Sequence, residues 1–403
     1  MVWLPAAALF FFQAANYSAD GLKALDAEKY DAAVQDFTQA IAADPKDYAA
    51  HFNLGLAYTF LQKDTEAIAE YRKALELKPR LYEAELNAGI LLLKQKNPAD
   101  ALALLTDAAA QRPSVFRPRY YLAEAQFQTG DDAQAEASYR AAADLDPKSA
   151  AAQLGLGRTL ARQGKLDQAA PYFRQAAALD PKFRDSLLEL AGLYEKNHQR
   201  DEAIAIYRQF PENAAAQEHV GELLLETKKY DDAIPQLEQA YQASPTEANR
   251  VALAVAYVFT NKLDKASPLL SQAVQAEPAN YDVRMMYARA LRDQRQFQPA
   301  AAQFYEALKL KPGAIPAWND LGGVLYMMGS YQDSLTAFDK ARQLGEETPG
   351  NWYFRAIILD KLRQLKPALE AYRHFLSISE GKNPNEEFLA RQRARIIQKE
   401  LEK

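Results

Sequence analysis

The sequence of 403 residues contains no cysteine and only four histidines. The lack of cysteine excludes disulfides, thiolate nucleophiles, iron–sulfur clusters and cysteine-ligated zinc. It leaves the cellular compartment open, because a chain without cysteine is compatible with any redox environment. The histidines are far apart along the chain, which does not favour a shared metal site: His51, His198, His219 and His374.

Glycine is also scarce, with 16 residues, and the sequence has neither a glycine-rich phosphate loop nor a G-x-S-x-G nucleophile turn. The acidic pairs Asp131-Asp132 and Asp231-Asp232 come directly after predicted turns, where carboxylates stabilise helix N-termini. We therefore expect no catalytic residue, no cofactor and no bound metal.

No excess of positive charge is present, since 48 basic residues are mixed with 53 acidic ones for a net charge of −5. A nucleic-acid-binding protein usually carries a basic face. Nucleic acid is therefore not an expected partner.

A long apolar segment is absent as well. The run Val2–Phe12 is too short to span a bilayer, so we expect no integral membrane span. Residues 1–13 resemble the apolar part of a secretion signal, with small residues behind it at Ala14 and Ala15. Because no basic residue lies ahead of the run, the alternative is an N-terminal helix that packs on the first repeat of the chain. The first interpretation predicts export to the periplasm and the second a cytoplasmic protein.

The chain does contain abundant alanine, which favours helices, and a repeat of 34 residues. Small residues recur at this spacing, with slightly shorter steps of 30 and 33 in the middle: Gly21, Gly55, Gly89, Ala123, Gly157, Ala191, Gly221, Ala254, Ala288, Gly322 and Ala356. A second small series lies twelve residues later, beginning at Ala33. Helices approach closely only where side chains are small, so the two series predict paired helices.

A large apolar series begins at Phe37, four residues after the second small series, and prolines such as Pro45 and Pro79 close most units. One helical turn separates the small and the large residue, so the large side chain fills the space beside the contact. Proline ends the second helix. Each unit is therefore predicted to be a helix, a turn and a second helix.

The unit from Tyr48 to Pro79 closely resembles a tetratricopeptide repeat. It carries Asn53-Leu54-Gly55, Tyr58, Ala67, Tyr71, Ala74 and Pro79, and a later unit has Trp318 ahead of Gly322. The resemblance implies an all-α, right-handed superhelical solenoid of about eleven helix-turn-helix repeats. It also implies a concave groove, lined by first helices, that binds peptides or proteins.

Eleven repeats cover residues 14–382, and the sixth lacks four residues near 210–213, where Phe210-Pro211 replaces the expected helix end. Residues 383–403 predict one more helix with an apolar stripe of Phe388, Leu389, Ile396, Ile397 and Leu401. A solenoid needs a terminal cap with a solvated face, which is the predicted role of this helix. A partner-binding tail is the alternative.

Mapping the first helices onto the groove gives three zones. The early zone is apolar and aromatic: Phe52, Leu56, Phe60, Leu86, Ile90, Leu93, Tyr120 and Phe127. The middle zone is acidic and includes Asp185, Glu195, Glu218, Glu222 and Glu226. The late zone is mixed: Val251, Val255, Val258, Phe259, Met285, Arg289 and Arg292. Burial of some apolar members against neighbouring helices, and a merely solvated acidic face, are the alternatives to binding.

These observations predict a non-catalytic scaffold that binds protein or peptide partners in its groove. The alternatives are a regulatory or substrate-recruiting subunit of an enzyme complex, an assembly or secretion factor of the bacterial cell envelope, and a self-assembling structural homo-oligomer. The sequence names no partner.

Overall fold

The computed structural model describes residues 6–345 and 347–403, with side chains from Asn16 onward. In this part of the chain there are twenty-three α-helices, one 3-10 turn at Pro181–Phe183 and no strand. The prediction of an all-α repeat protein is therefore confirmed. Helices α1 to α22 follow one another as the first and second members of eleven pairs, and α23 comes after the last pair.

The first helices of the pairs are α1 Ala6–Asp26, α3 Tyr48–Phe60, α5 Tyr82–Lys94, α7 Phe116–Thr129, α9 Ala150–Arg162, α11 Ser186–Lys196, α13 Ala214–Glu226, α15 Glu247–Phe259, α17 Tyr281–Asp293, α19 Ile315–Met327 and α21 Pro349–Lys361. The second helices are α2 Tyr30–Ala43, α4 Asp64–Leu77, α6 Pro98–Gln111, α8 Asp132–Leu145, α10 Leu166–Leu179, α12 Arg200–Tyr207, α14 Tyr230–Ala243, α16 Leu263–Ala276, α18 Phe297–Leu310, α20 Tyr331–Gln343 and α22 Leu365–Ser379. The last helix is α23 Pro384–Leu401.

The chain divides into two compact units, one up to Ile206 and one from Tyr207. The division falls inside α12, which has eight residues. Among the described residues, no helix is long and apolar enough to cross a membrane. Residues 1–5 of the signal-like segment lie outside the described residues, and α1 begins at Ala6.

The small residues of the first helices lie directly against the large residues of the second helices. A Cβ atom added to Gly89 would come within 2.6 Å of Leu105 Cγ, and one added to Gly322 within 2.8 Å of the Phe338 ring. Phe37, Tyr71, Leu105 and Phe304 are fully buried at these contacts. The prediction that the small series marks the contact within a pair is therefore confirmed.

The turn inside each pair contains one residue with left-handed backbone. Glycine occupies this place at Gly130, Gly164 and Gly329. Eight turns instead use residues with a side chain, at φ between 57° and 60°: Glu28, Gln62, Lys96, His198, Lys228, Asn261, Arg295 and Arg363. Left-handed backbone costs an ordinary L-residue about 1–2 kcal/mol. These turns therefore carry local strain.

We expect Lys96→Gly and Gln62→Gly each to raise the free energy of unfolding by about 0.5–1 kcal/mol, because relief of the strain exceeds the entropy cost of glycine. Urea unfolding monitored by circular dichroism measures the change. Asn261→Gly is the matched control, since asparagine tolerates this backbone well and little gain is expected. Equal gains at all three sites would contradict the explanation.

The last helix is anchored to the turn before it by one buried carboxylate. Glu387 Oε1 accepts hydrogen bonds from Ser379 Oγ at 2.6 Å and from the Gly381 backbone N–H at 2.8 Å. Arg391 Nη2 donates to Glu387 Oε2 at 2.9 Å. The hydrogen bond from Ser379, those from the backbone, and the charge of Arg391 lower the pKa of Glu387 below its usual range. Ala390 and Ile397 are buried on the inner side of α23.

Because the folded pKa of Glu387 lies below the unfolded one, this carboxylate stabilises the α22–α23 junction at neutral pH. The contribution is lost as the pH falls through the folded pKa. Glu387→Gln is expected to weaken amide-exchange protection of α23 at neutral pH and to flatten its acid dependence. Glu386→Gln, at the exposed neighbouring position, is the control. An unchanged acid dependence in Glu387→Gln would contradict this assignment.

Candidate functional site: the first-helix surface

The first-helix surface consists of the side chains that first helices present away from their pair partners. In unit 1, α5 contacts α7 and α7 contacts α9. In unit 2, α13 contacts α15 and α17 contacts α19. Several neighbouring first helices thus contact one another within each unit, and the predicted site residues can be located on their surface.

In unit 1 the early aromatic residues are held in place by rings beneath them. The Phe60 ring stacks on the Tyr30 ring with centroids 4.7 Å apart and remains 52% exposed. The Phe52 ring lies 5.7 Å from the Tyr71 ring and is half-buried, as is Leu56. Phe60 therefore offers one open aromatic face.

The next predicted residues are less accessible. Leu86 is only 4% exposed and belongs to the core between α4 and α7. Ile90 and Leu93 are half-buried against the same core. Leu86 therefore contributes packing, which is the alternative that the sequence left open for this zone.

A cavity of about 240 Å³ opens beside Tyr120 and Phe127. The Tyr139 hydroxyl lines it and donates to Glu124. Burial, and then the negative charge of Glu124, raise the pKa of both Tyr139 and Tyr120 above the usual tyrosine range. Both phenols are thus protonated at neutral pH, and Tyr139 acts as a hydrogen-bond donor.

Arg158 borders the same cavity but is already engaged. Its Nε donates to Glu189 at 2.9 and 3.0 Å, and its Nη2 donates at 2.6 Å. This forked ion pair joins α9 to α11.

The acidic residues of the middle zone belong to both units. Asp185 and Glu195 lie in unit 1, whereas Glu218, Glu222 and Glu226 lie on α13 in unit 2. Glu218 is half-buried, and Glu222 and Glu226 are exposed at the helix surface.

In unit 2 a cavity of about 520 Å³ runs along α17. Five of the predicted late-zone residues line it: Val258, Phe259, Met285, Arg289 and Arg292. Val255 is half-buried one helical turn before Phe259 and does not line the cavity.

Asp320, on α19, holds both arginines of this cavity. Arg289 Nε donates to Asp320 Oδ2 at 2.7 Å, and Arg292 Nη1 donates to Asp320 Oδ1 at 2.5 Å. Arg292 Nε also donates to Asp293 at 2.8 Å. The carboxylate thereby fixes the arginine side of the cavity.

Sequence reasoning missed five lining residues of this cavity: Tyr281, Asp282, Met286, Asp293 and Pro316. The repeat contains a signal for Met286, which lies two residues before Ala288 just as Asn53 lies two before Gly55. Asp320 occupies the same place before Gly322.

The histidines have separate local contacts. His51 Nδ1 lies 2.6 Å from Glu70 Oε2, the His219 ring stacks on Tyr207, and the His374 ring packs on Trp352. Among the residues with described side chains, no group of three potential ligands could hold a metal ion.

The fold is thus that of an all-α protein built from tandem helix pairs. A tetratricopeptide repeat family profile matches residues 19–81, 86–150, 133–182 and 251–315, and a second profile of that description matches 160–224 and 224–271. These matches cover well over half of the chain, so it belongs to the tetratricopeptide repeat family. The family is one of protein-interaction scaffolds, generally without catalysis.

Solved structures with a similar fold match part of the chain. The crystal structure of YrrB, described as a TPR protein with an unusual peptide-binding site, is 21% identical, with a TM-score of 0.40 over 41% of this chain and 85% of that one. MamA from Desulfovibrio magneticus RS-1 is 24% identical, with a TM-score of 0.40 over 42% of this chain and 96% of that one. No curated protein matches the sequence.

Proposed function

We propose that this protein is a non-catalytic adaptor that binds peptide segments of partner proteins on its first-helix surface. The observation that carries this proposal is an exposed aromatic ring, stacked on a tyrosine of a second helix, in each unit. Phe259 is 59% exposed and stacks on Tyr230 at 4.4 Å, just as Phe60 stacks on Tyr30.

These two exposed rings are suited to binding because their orientation is already fixed. A large aromatic side chain held by a stack loses little rotational freedom when a ligand covers its open face. Aromatic residues of this kind dominate the energetics of protein interfaces. The first-helix surface also has a cavity in each unit that provides room for partner side chains. The volumes are about 240 Å³ in unit 1 and 520 Å³ in unit 2.

Combining Phe60→Ser with Phe259→Ser is expected to abolish capture of the specific partners recovered by the unaltered chain from its native cells. Quantitative mass spectrometry of the captured proteins measures the loss, and circular dichroism checks that helical content is retained. Tyr305→Ser is the matched control, because Tyr305 is a 44% exposed aromatic residue on a second helix. An unchanged partner set in the double variant would overturn the proposal.

A further inference from the structure

The unit 1 cavity of about 240 Å³ owes its space to one glycine, Gly155, which lines it. Gly155 lies two residues before the small residue Gly157, and the same place in other repeats carries a larger polar side chain: Asn53, Asn87 and Asp320. Even a Cβ atom at residue 155 would come within 2.5 Å of Tyr139 Cζ. The lack of a side chain here therefore leaves room both for the Tyr139 ring and for the cavity.

The walls of this cavity are largely aromatic. Four rings line it: Tyr120, Phe127, Tyr139 and Phe183. The Tyr139 ring lies edge-on to Tyr120 and Phe127, with centroids 6.2 and 6.4 Å apart, and Tyr120 also stacks on Phe116 at 5.6 Å. These contacts hold three of the rings in position before any ligand binds. The faces of aromatic rings attract cations, because the π-system is negative there.

One carboxylate lies among these rings. Glu124 is half-buried and accepts hydrogen bonds from the hydroxyls of both Tyr139 and Tyr120. An ionised carboxylate has about four acceptor positions. The two phenols therefore leave acceptor positions on Glu124 for the N–H groups of a ligand.

The charges around the cavity leave that of Glu124 uncompensated. Arg158 also lines the cavity, but it donates three hydrogen bonds to Glu189 at 2.6 to 3.0 Å. Arg162, whose Cζ lies 3.7 Å from the Phe127 ring centroid, forms an ion pair with Asp132. Each arginine thus has its own acidic partner. The charge that remains is the negative one of Glu124, and it favours a cationic ligand.

We propose that this cavity binds a lysine side chain of a partner protein, the ammonium group being held by the Glu124 carboxylate and by the faces of the surrounding rings. The proposal rests on the proposed adaptor function and specifies one side chain that the partner supplies. The methylene groups of the lysine pack against the rings. A neutral apolar side chain would leave the remaining acceptor positions of Glu124 without a donor, and a carboxylate would be repelled by its charge.

The test is a titration of the full-length chain with a capped glycine–serine peptide that carries one central lysine. The methyl NMR signals of Leu154, which lines the cavity, are expected to shift and to report the dissociation constant. Glu124→Gln should weaken binding about tenfold. The same peptide with Nε-acetyl-lysine, which is uncharged, should show a similar loss, without further loss when both changes are combined. Phe183→Leu, which removes one ring and keeps an apolar side chain, should weaken the lysine peptide about threefold.

Unit 2 offers a matched control for Glu124. Glu222 comes directly after the small residue Gly221, just as Glu124 comes directly after Ala123. Glu222→Gln should therefore leave binding of the lysine peptide unchanged, and circular dichroism checks that all variants retain their helical content. The cation n-butylammonium, which corresponds to a lysine side chain without its peptide, should bind more weakly than the peptide does.

The results distinguish this proposal from the adaptor function. Equal binding of the lysine and acetyl-lysine peptides, no shift of the Leu154 signals, or equal weakening by Glu222→Gln and Glu124→Gln would overturn the lysine site and leave the adaptor function standing. Tighter binding of n-butylammonium than of the peptide would assign the cavity to a free amine and would also overturn it. The adaptor function fails separately, if the variant that combines Phe60→Ser with Phe259→Ser keeps its partners, because neither residue lines this cavity.

Discussion

Phe304→Ala is expected to lower the free energy of unfolding of unit 2 by about 3–5 kcal/mol, the usual cost of removing a fully buried aromatic ring. Phe304 is 0% exposed, and its core cluster includes Ala288, Leu291, Leu308 and Leu321. These neighbours are themselves buried, so none of them can fill the space without repacking.

The loss should also be local, since repeat proteins are stabilised chiefly by contacts between neighbouring repeats. Amide hydrogen exchange is expected to accelerate most in α17 to α20 and much less in unit 1. Tyr305→Ala, at the adjacent exposed position, is the control and should change stability by less than about 0.5 kcal/mol. Similar losses for both variants would contradict the packing argument.

Gly155→Ala is expected to cost about 1–3 kcal/mol, the typical penalty for forcing an extra carbon into a packed site. A Cβ atom at residue 155 would come within 2.5 Å of Tyr139 Cζ. Tyr139 cannot move away easily, because it is 1% exposed and lies edge-on to the Tyr120 and Phe127 rings. The substitution should therefore also disturb the hydrogen bond from Tyr139 to Glu124.

Gly323→Ala is the matched control for Gly155→Ala. Gly323 also lies in a first helix, but nothing is within 4 Å of a Cβ atom built there. Alanine should stabilise the chain at this site by about 0.5–1 kcal/mol, because it favours helix more than glycine does. Urea unfolding of the two variants measures the difference. A loss of stability in both variants would show that close packing against Tyr139 is not the cause of the loss in Gly155→Ala.

The sequence was sufficient to predict the helix pairs, because packing within a pair fixes a small and a large residue at constant spacing. Gly55 against Tyr71 and Gly322 against Phe338 are the same contact in two repeats. The close approach of Tyr139 to Gly155 could not be predicted in this way. It joins α8 to the first helix of the next pair, and it depends on how one repeat is placed on the next.

The candidate site could likewise be predicted only in part from the sequence. Phe259, Arg289 and Arg292 could be assigned to the first-helix surface from their position in the repeat, and they line one cavity. Burial of Leu86 depends instead on how closely α5 is covered by its neighbours. The hydrogen bonds that both arginines donate to Asp320 depend on whether the side chains of α17 and α19 reach each other, and the 34-residue period contains no information on this.

The left-handed turns have a consequence for how the stability of this chain can be engineered. Seven of these turns, all but the one at Asn261, carry residues that gain from glycine, and they are at least 30 residues apart along the chain. Substitutions at sites without shared contacts add nearly independently. Replacing one, two or more of them with glycine should therefore raise the melting temperature in graded steps. Because these changes leave the side chains of the first-helix surface untouched, thermal tolerance and ligand recognition can be adjusted separately.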